Sequence, residues 1–259
     1  MDITSELFIE NNNLKITKLT SNISNPKYSL YKLKDSKNLS KLSFNTEPTS
    51  LVVIDGSVEI FTDDFNYVFK KFEGLHVLSK NKILNLKIDK EASVLIGSVA
   101  ELSIDCNIKE YQELTNDNIL LLSDYTVDKP WGGETWFSQN IDNYPYALKN
   151  IYMEKGFQSS LQSHKFKSET NIVVDGEANV LYGREAPQNE SEKVNIQSLK
   201  SKVYSNYDGW SNKVNELHRV IAKSTYNAIE ISTPELDDVI RWEDDNNRKS
   251  GKIDSEHGN

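Results

Sequence analysis

Two short segments of the chain carry metal-binding side chain types at a spacing that would let them converge. Gln162 and His164 are separated by one residue, and Glu169 follows after four more. Because side chains at positions i and i+2 of a β-strand point to the same side, Gln162 and His164 can face one point, and a neighbouring strand can supply Glu169. This mixed nitrogen and oxygen donor set suits Zn²⁺, Fe²⁺, Mn²⁺, Co²⁺ or Ni²⁺. The expected cofactor is therefore a divalent metal, and His218, which lies before a later predicted strand, is the candidate second imidazole.

The elements that must position these residues are predicted to be short β-strands. Runs rich in Val, Ile, Tyr and Phe are separated by Gly, Asn, Asp and Ser, which is typical of many strands and few helices. In two of these runs, Asp55-Gly56 and Asp175-Gly176 lie between alternating apolar residues and predict tight β-hairpins. The sequence therefore predicts an all-β protein, with strands within residues 50–61, 92–99, 146–153, 170–183 and 226–233.

A weak internal repeat predicts two copies of one barrel. The segments LVVIDGSVEIF and NIVVDGEANVLY resemble each other, and each is followed by a further apolar run, SVLIGS or AIEIST. We expect domains at residues 1–115 and 116–248 and a flexible tail at residues 249–259, with the boundary near Asn116 in a polar segment that is a short helix or a linker. The polar stretch 184–213 is expected to be a loop over one end of the second barrel.

Composition and charge exclude several classes of function. A net charge of -9 repels phosphate backbones, and no basic block interleaved with aromatic residues offsets it, so no nucleic-acid partner is expected. No apolar run approaches the roughly 20 residues that span a bilayer, and the first residues do not read as a secretory leader, so we expect a cytoplasmic protein with no membrane partner. The single Cys106 excludes an internal disulfide and a cysteine-based zinc site.

The segment GFQSSLQSHKFKSETNIVVDG, residues 156–176, resembles the first motif of the cupin superfamily, G(X)5HXH(X)4E(X)6G, with Gln162 in place of the first His. His218 then corresponds to the single His of the second motif. The resemblance implies two jelly-roll β-barrels, a bicupin, with Zn²⁺ first among the metals named above. Its implied metal ligands are Gln162, His164, Glu169 and His218. The first barrel, whose only His is His76, is expected to be metal-free.

The second half is also similar to the cupin domain of type II phosphomannose isomerases. The segments KPWGGETWF, LKNI, SSLQSHKFKSETN, LHRVI and DDVIRWEDDNNR follow the order of that family's RPWGxY, KRI, LSLQxHxHRxEHW, HRI and EDDIVRxEDxYGR. The similarity implies a metal-dependent sugar or sugar-phosphate isomerase that acts through an enediolate. The expected partner is a small carbohydrate or sugar phosphate, and a homodimer is allowed because many cupins pair through strand edges.

The same similarity assigns further site residues. Lys149 and Arg219 fall on basic positions of the family and would hold a phosphate or hydroxyl groups of the substrate. Lys167 and Arg241 also fall on basic positions, and with Trp131 they would contact the substrate. Glu230 is expected on a strand that lines the barrel, either as a general base or as a hydrogen-bond partner of a ligand histidine.

Departures from the family pattern leave other functions open. Phe166 stands where the family has a His, and Thr170-Asn171 stands where it has His-Trp. Because these changes surround the expected mouth of the barrel, the alternatives are another cupin enzyme, such as an epimerase, oxygenase or lyase, and a non-catalytic sugar-binding bicupin.

Overall fold

The computed structural model describes residues 4–11, 14–20, 27–44, 48–98, 112–139 and 143–253 of the chain. Cys106, His257 and the start of the polar segment around Asn116 lie outside these ranges. The described residues are mostly β-strands, joined by turns and by short 3₁₀ helices at Asn116–Asn118 and Ile196–Ser198, so the all-β prediction is confirmed. None of the helices within these ranges is long and apolar enough to cross a membrane.

The chain divides into two compact units, the first ending at Leu122 and the second beginning at Ser123. The boundary predicted near Asn116 falls on the 3₁₀ helix shortly before this division. The strands of the first unit are β1 (Thr4–Asn11), β2 (Leu14–Thr20), β3 (Lys27–Phe44), β4 (Thr49–Asp55), β5 (Val58–Phe61), β6 (Asn66–Phe69), β7 (Gly74–Val77), β8 (Lys82–Ser98), β9 (Gln112–Glu113) and β10 (Ile119–Leu121).

The long strand β8 organises the first unit. The sheet runs in the order β1-β2-β3-β8-β4-β7-β10, and β8 also pairs with β5 and β9. Leu51 of β4, Ile60 of β5 and Val94 of β8 are buried in one apolar cluster between these strands. His76 of β7 is also buried, and its Nδ1 lies 2.7 Å from the Ser50 hydroxyl oxygen, which suits a structural histidine.

The second unit is built from two sheets. Its strands are β11 (Tyr125–Lys129), β12 (Gly132–Trp136), β13 (Ala147–Met153), β14 (Leu161–Ser163), β15 (Glu169–Asp175), β16 (Ala178–Glu185), β17 (Lys200–Tyr204), β18 (Gly209–Asn212), β19 (Glu216–Ala222), β20 (Tyr226–Ser232) and β21 (Ile240–Glu243). One sheet has the order β11-β12-β13-β20-β15-β18 and the other β17-β16-β19-β14-β21. Met153 and Val173 from the first sheet pack in one buried cluster with Val180 and Ala222 from the second, so the core lies between the sheets.

The two Asp-Gly turns do not form the predicted hairpins. The strands on either side of each turn pair with other strands: β4 with β7 and β8, β5 with β6 and β8, β15 with β18 and β20, and β16 with β17 and β19. Gly56 and Gly176 both have positive φ, of 74° and 79°. A Cβ at Gly176 would collide with the Thr225 carbonyl oxygen, and one at Gly56 with the Glu91 carbonyl oxygen. The glycines are therefore required by tight turns. Each turn connects two strands that pair with other strands and not with each other, as jelly-roll connections do.

The stretch predicted as a single loop over residues 184–213 contains two strands. Strand β17 pairs with β16 at the edge of one sheet, and β18 pairs with β15 at the edge of the other. The prediction of a continuous loop is therefore wrong. The stretch is polar in part because β17 is an edge strand that exposes Lys200 and Ser201 to solvent, and charged side chains are common on exposed edges.

Candidate metal centre

Three predicted ligands come together inside the second unit. His164 follows β14, Glu169 is the first residue of β15, and His218 lies on β19. All three are buried, and one nitrogen or oxygen atom from each lies within 4.8 Å of the others. The Nε2 atoms of His164 and His218 lie 3.6 Å and 3.2 Å from the two carboxylate oxygens of Glu169. Three of the four predicted ligands thus lie around one point, and their role as metal ligands stays a prediction.

Backbone carbonyl groups orient both imidazoles. Nδ1–H of His164 donates to the carbonyl oxygen of Asp238 at 2.6 Å, and Nδ1–H of His218 donates to that of Glu216 at 3.1 Å. With Nδ1 occupied in this way, the neutral form of each ring carries its lone pair on Nε2, the atom nearest Glu169, and this is the tautomer that a metal ligand needs. Within the part of the chain that the structure describes, the buried Nε2 of His164 has no hydrogen-bond partner. The donor set and this orphaned nitrogen therefore fit a divalent metal ion.

Gln162 lies beside the three ligands. It is opposite His218 in the pairing of β14 with β19, and its Nε2 is 3.2 Å from Nε2 of His218. Its Oε1 accepts a hydrogen bond from the hydroxyl of Ser160 at 2.8 Å. Rotation of the terminal amide exchanges these two atoms and turns the oxygen toward the centre. Gln162 is thus within reach of the centre, and its role as a ligand stays a prediction.

Asp238 positions the centre in a way that sequence reasoning missed. Its carbonyl oxygen holds the His164 ring, as described above, and its carboxylate accepts hydrogen bonds from three consecutive backbone N–H groups, those of Lys165, Phe166 and Lys167. Together these contacts hold the turn that leads from His164 to Glu169. The segment DDVIR contained this residue, but a carboxylate bound to backbone N–H groups has no spacing signature that would have revealed it.

A chain of buried ion pairs runs from the centre along the pocket. Successive nitrogen and oxygen atoms lie 3.7, 3.0, 3.4, 3.0 and 2.8 Å apart in the order Lys129, Glu134, Lys149, Glu230, Lys167 and Glu169. Each side chain is less than a tenth exposed. Burial of charges is tolerated only when each is paired, so the alternation of ammonium and carboxylate explains how so many charges lie inside one barrel.

These contacts hold three of the groups in their charged forms. Burial alone would raise the pKa of the Glu134 carboxyl, but the ammonium groups of Lys149 and Lys129 lower it to about 2. Burial opposes charge on Lys167 as well, yet the carboxylates of Glu169 and Glu230 raise its pKa above the ordinary lysine value. Burial likewise opposes charge on Glu169, but Lys167 and His218 hold its pKa well below the ordinary value. Glu134, Lys167 and Glu169 are therefore ionised at neutral pH.

The two histidines differ in basicity. Burial, together with the Lys167 ammonium, lowers the pKa of His164 well below its ordinary value. Burial also opposes charge on His218, but the Glu169 carboxylate prevails and raises its pKa. His164 is therefore neutral and ready to bind a metal ion, whereas His218 must release a more tightly held proton to do so.

Most of the predicted substrate-binding residues line one pocket with the predicted metal ligands. The pocket encloses about 100 Å³, and its walls include Lys149, Lys167, Glu230, Arg241 and Trp131. Trp131 also packs in the apolar core, so it serves both as core and as wall. Glu230 lies between Lys149 and Lys167, and not against a histidine. Of the two roles predicted for it, general base and hydrogen-bond partner of a ligand histidine, these contacts do not support the second.

Arg219 lies outside this pocket, contrary to the prediction. Side chains alternate along β19, so that His218 and Val220 line the pocket while Arg219 points to the opposite face. There its guanidinium donates to a carboxylate oxygen and to the carbonyl oxygen of Glu243, at 3.1 Å and 3.0 Å. Arg219 was a candidate because it falls on a basic position of the family motif, but as the direct neighbour of His218 on a strand it faces the other way.

Tyr226 is a pocket residue that sequence reasoning did not select. It is the first residue of β20, its side chain is 1% exposed, and its ring packs in the core. Among the described residues its hydroxyl has no hydrogen-bond partner. Burial, followed by the nearby carboxylates of Glu230 and Glu169, raises its pKa well above the ordinary value, so the phenol remains a hydrogen-bond donor. A tyrosine at a strand start carries no sequence signal of this role.

Comparisons with solved structures identify the fold. The chain matches oxalate decarboxylase from Bacillus subtilis, a protein with Mn(II) centres, at 10% identity and a TM-score of 0.66, over 92% of this chain and 77% of that one. It matches the Lactobacillus farciminis oxalate decarboxylase formate complex at 10% identity and 0.63, over 92% and 86%, and procruciferin, an 11S globulin from Brassica napus, at 9% and 0.62, over 90% and 84%. The sequence matches no family model and no curated protein. The structural likenesses confirm the predicted fold, a bicupin with two cupin-type jelly-roll barrels.

Proposed function

We propose that the second barrel is a divalent-metal-dependent cupin enzyme that acts on a small polar substrate, as a sugar or sugar-phosphate isomerase. The observation that carries the proposal is the convergence of His164, Glu169 and His218 on one buried point at the wall of a charged pocket. Such a donor set suits Zn²⁺, Mn²⁺, Fe²⁺, Co²⁺ or Ni²⁺ and leaves coordination positions for water or substrate. A metal bound there would polarise a carbonyl and its neighbouring hydroxyl and make the adjacent C–H acidic.

The size of the pocket limits which part of a substrate enters it. A cavity volume of about 100 Å³ accommodates several water molecules or a small polar group. The carbonyl end of a sugar is such a group. Lys149 and Lys167 face this space, and each can donate to a substrate oxygen once a carboxylate contact is given up.

Glu230 is the proposed proton acceptor. Its carboxylate is shared between Lys149 at 3.4 Å and Lys167 at 3.0 Å. A substrate oxygen that draws one ammonium group away would leave a carboxylate oxygen of Glu230 free to face the substrate. The phenol of Tyr226 is the matching donor in this pocket, because it remains protonated.

The test combines metal analysis with a substrate screen. Elemental analysis of the purified protein should find close to one equivalent of a divalent metal, and a panel of aldose and ketose phosphates should include an interconverted pair. His164→Ala should lose both metal and turnover, because it removes a ligand whose Nε2 lies 3.6 Å from Glu169. Lys165→Ala, an exposed change next to it, should keep both. Full turnover in the His164→Ala variant would exclude the proposal.

A non-catalytic sugar-binding role is the second candidate. It is favoured by the pairing of Glu134 and Glu169, because ammonium groups hold the pKa of each carboxyl low and make it a poor proton acceptor. Sugar binding to the metal-loaded protein without turnover would support it. Another cupin chemistry would show itself differently: oxygen consumption with bound Fe²⁺ would indicate an oxygenase.

A further inference from the structure

Lys167 places a positive charge at the candidate metal centre itself. Its Nζ lies 2.8 Å from Oε2 of Glu169 and 3.0 Å from Oε1 of Glu230, and its side chain is 6% exposed. The same Oε2 atom of Glu169 lies 3.6 Å from Nε2 of His164. A metal ion held by His164 and Glu169 would therefore share this carboxylate oxygen with an ammonium group.

When no ion is bound, the balance of charge favours the contact between Lys167 and Glu169. Along the chain of ion pairs, three ammonium groups alternate with three carboxylates, so the chain is neutral by itself. A doubly charged ion beside Glu169 would upset this balance and would repel Nζ of Lys167 at short range. In a buried site such repulsion is weakly screened.

From this geometry, and on the basis of the proposed function, we propose that Lys167 is a built-in competitor of the metal ion. It neutralises Glu169 in the metal-free protein and thereby lowers the affinity of the centre for the metal. Glu230 provides the alternative partner that makes exchange possible, because Nζ already contacts its Oε1 and needs to lose only the Glu169 contact. Metal binding thus shifts Lys167 to Glu230 alone.

The test measures metal affinity in variants that free Glu169. Lys167→Met removes the competing ammonium and keeps a long side chain. The double variant Lys167→Met/Glu230→Gln removes one charge of each sign, so it frees Glu169 without leaving Glu230 unpaired. Lys165→Met is the matched control, because it removes a nearby ammonium that is exposed and pairs with Glu190 at 3.1 Å. Titration calorimetry with Mn²⁺ alone and with Zn²⁺ alone gives the dissociation constants, and thermal unfolding is followed with and without metal.

Both Lys167 variants should bind metal about ten- to a hundredfold more tightly than the unaltered protein, the range in which groups bonded to a ligand tune a metal site. The control should stay within about twofold, since exposed ion pairs contribute little. Without metal, Lys167→Met should unfold at a lower temperature, because Glu169 and Glu230 lose their shared partner. Added metal should restore much of that loss.

Unchanged or weaker metal binding in both Lys167 variants would overturn the inference and leave Lys167 a purely structural residue. If Lys167→Met does not fold, the charge-balanced double variant decides the question alone. The proposed function fails separately: if the unaltered protein binds no metal but the double variant does, the competitor role stands and the native chain is not a metalloenzyme. If neither binds, both ideas fall.

Discussion

Replacing Glu134 by Gln removes the carboxylate that lies between Lys129 and Lys149, 3.7 Å and 3.0 Å from their Nζ atoms. The change keeps the size of the side chain but leaves two buried ammonium groups without this partner. Lys149 retains Glu230 at 3.4 Å, so two of the five ion-pair contacts in the series are lost and three remain. We expect the second unit to be destabilised while its backbone is unchanged.

The magnitude follows from the pKa of Glu134, which the fold lowers from 4.5 to about 2. At 1.36 kcal/mol per pKa unit this corresponds to about 3 kcal/mol of unfolding free energy at neutral pH. For a unit of this size the midpoint of thermal unfolding should fall by about 10 °C.

The lowered pKa of Glu134 also determines how the difference in unfolding free energy between the two proteins changes with pH. Because the folded-state pKa of Glu134 is depressed, its stabilisation is fully present above its unfolded value of 4.5 and is lost as the pH falls toward 2. The Gln variant has no carboxyl group to titrate. The stability difference between the two proteins should therefore be constant from about pH 6 to 8 and shrink to about 1 kcal/mol near pH 3.

Tryptophan fluorescence during urea unfolding is a suitable assay, because all four tryptophans lie in the second unit, at 131, 136, 210 and 242. Glu177→Gln is the matched control, since Glu177 is exposed in the turn after β15. A loss below about 1 kcal/mol at pH 7, or a difference that grows in acid, would refute the electrostatic reasoning.

Three further changes test other features of the second unit. Asp238→Ala should weaken metal affinity about tenfold by releasing three backbone N–H groups, measured by calorimetry against the exposed Asp237→Ala; equal affinities would contradict the positioning role. Gly176→Ala should cost about 2–3 kcal/mol in urea unfolding because of its φ of 79° and a carbonyl collision, whereas Gly251→Ala, with open space around its Cβ position, should cost about 1 kcal/mol. Tyr226→Phe should raise stability by about 1 kcal/mol by removing a buried hydroxyl that has no described partner, yet lower turnover or ligand affinity; a loss of stability would show that the hydroxyl is satisfied in solution.

The clustering of three candidate ligands could be predicted in part from local geometry. The short turn from β14 to β15 brings His164 and Glu169 together, whereas His218 comes from β19, which pairs with β14 but lies far along the chain. Their role as metal ligands stays a prediction. The all-β fold could be predicted from the runs of strand-forming residues. What the pattern could not supply is the identity of pairing partners across the fold, which is why the Asp-Gly turns were predicted as hairpins.

The electrostatic environment was the least predictable part. Lys149 and Lys167 were expected to face a substrate, and their pairing with Glu134 and Glu230 depends on strand register, which composition does not reveal. Arg219 was predicted in the pocket for a related reason. A motif shows which residue types occur at which positions, but the alternation of side chains along β19 decides which of two neighbours faces the pocket.

The hydrogen bond between His164 and Asp238 joins residues that are 74 positions apart in the sequence. The final orientation of the imidazole therefore depends on docking of the segment before β21, and not on the turn after β14 alone. Closing a loop of this length costs backbone entropy, which the contacts of the docked segment must offset. Local opening of that segment would thus free the imidazole even while β14 and β19 stay paired.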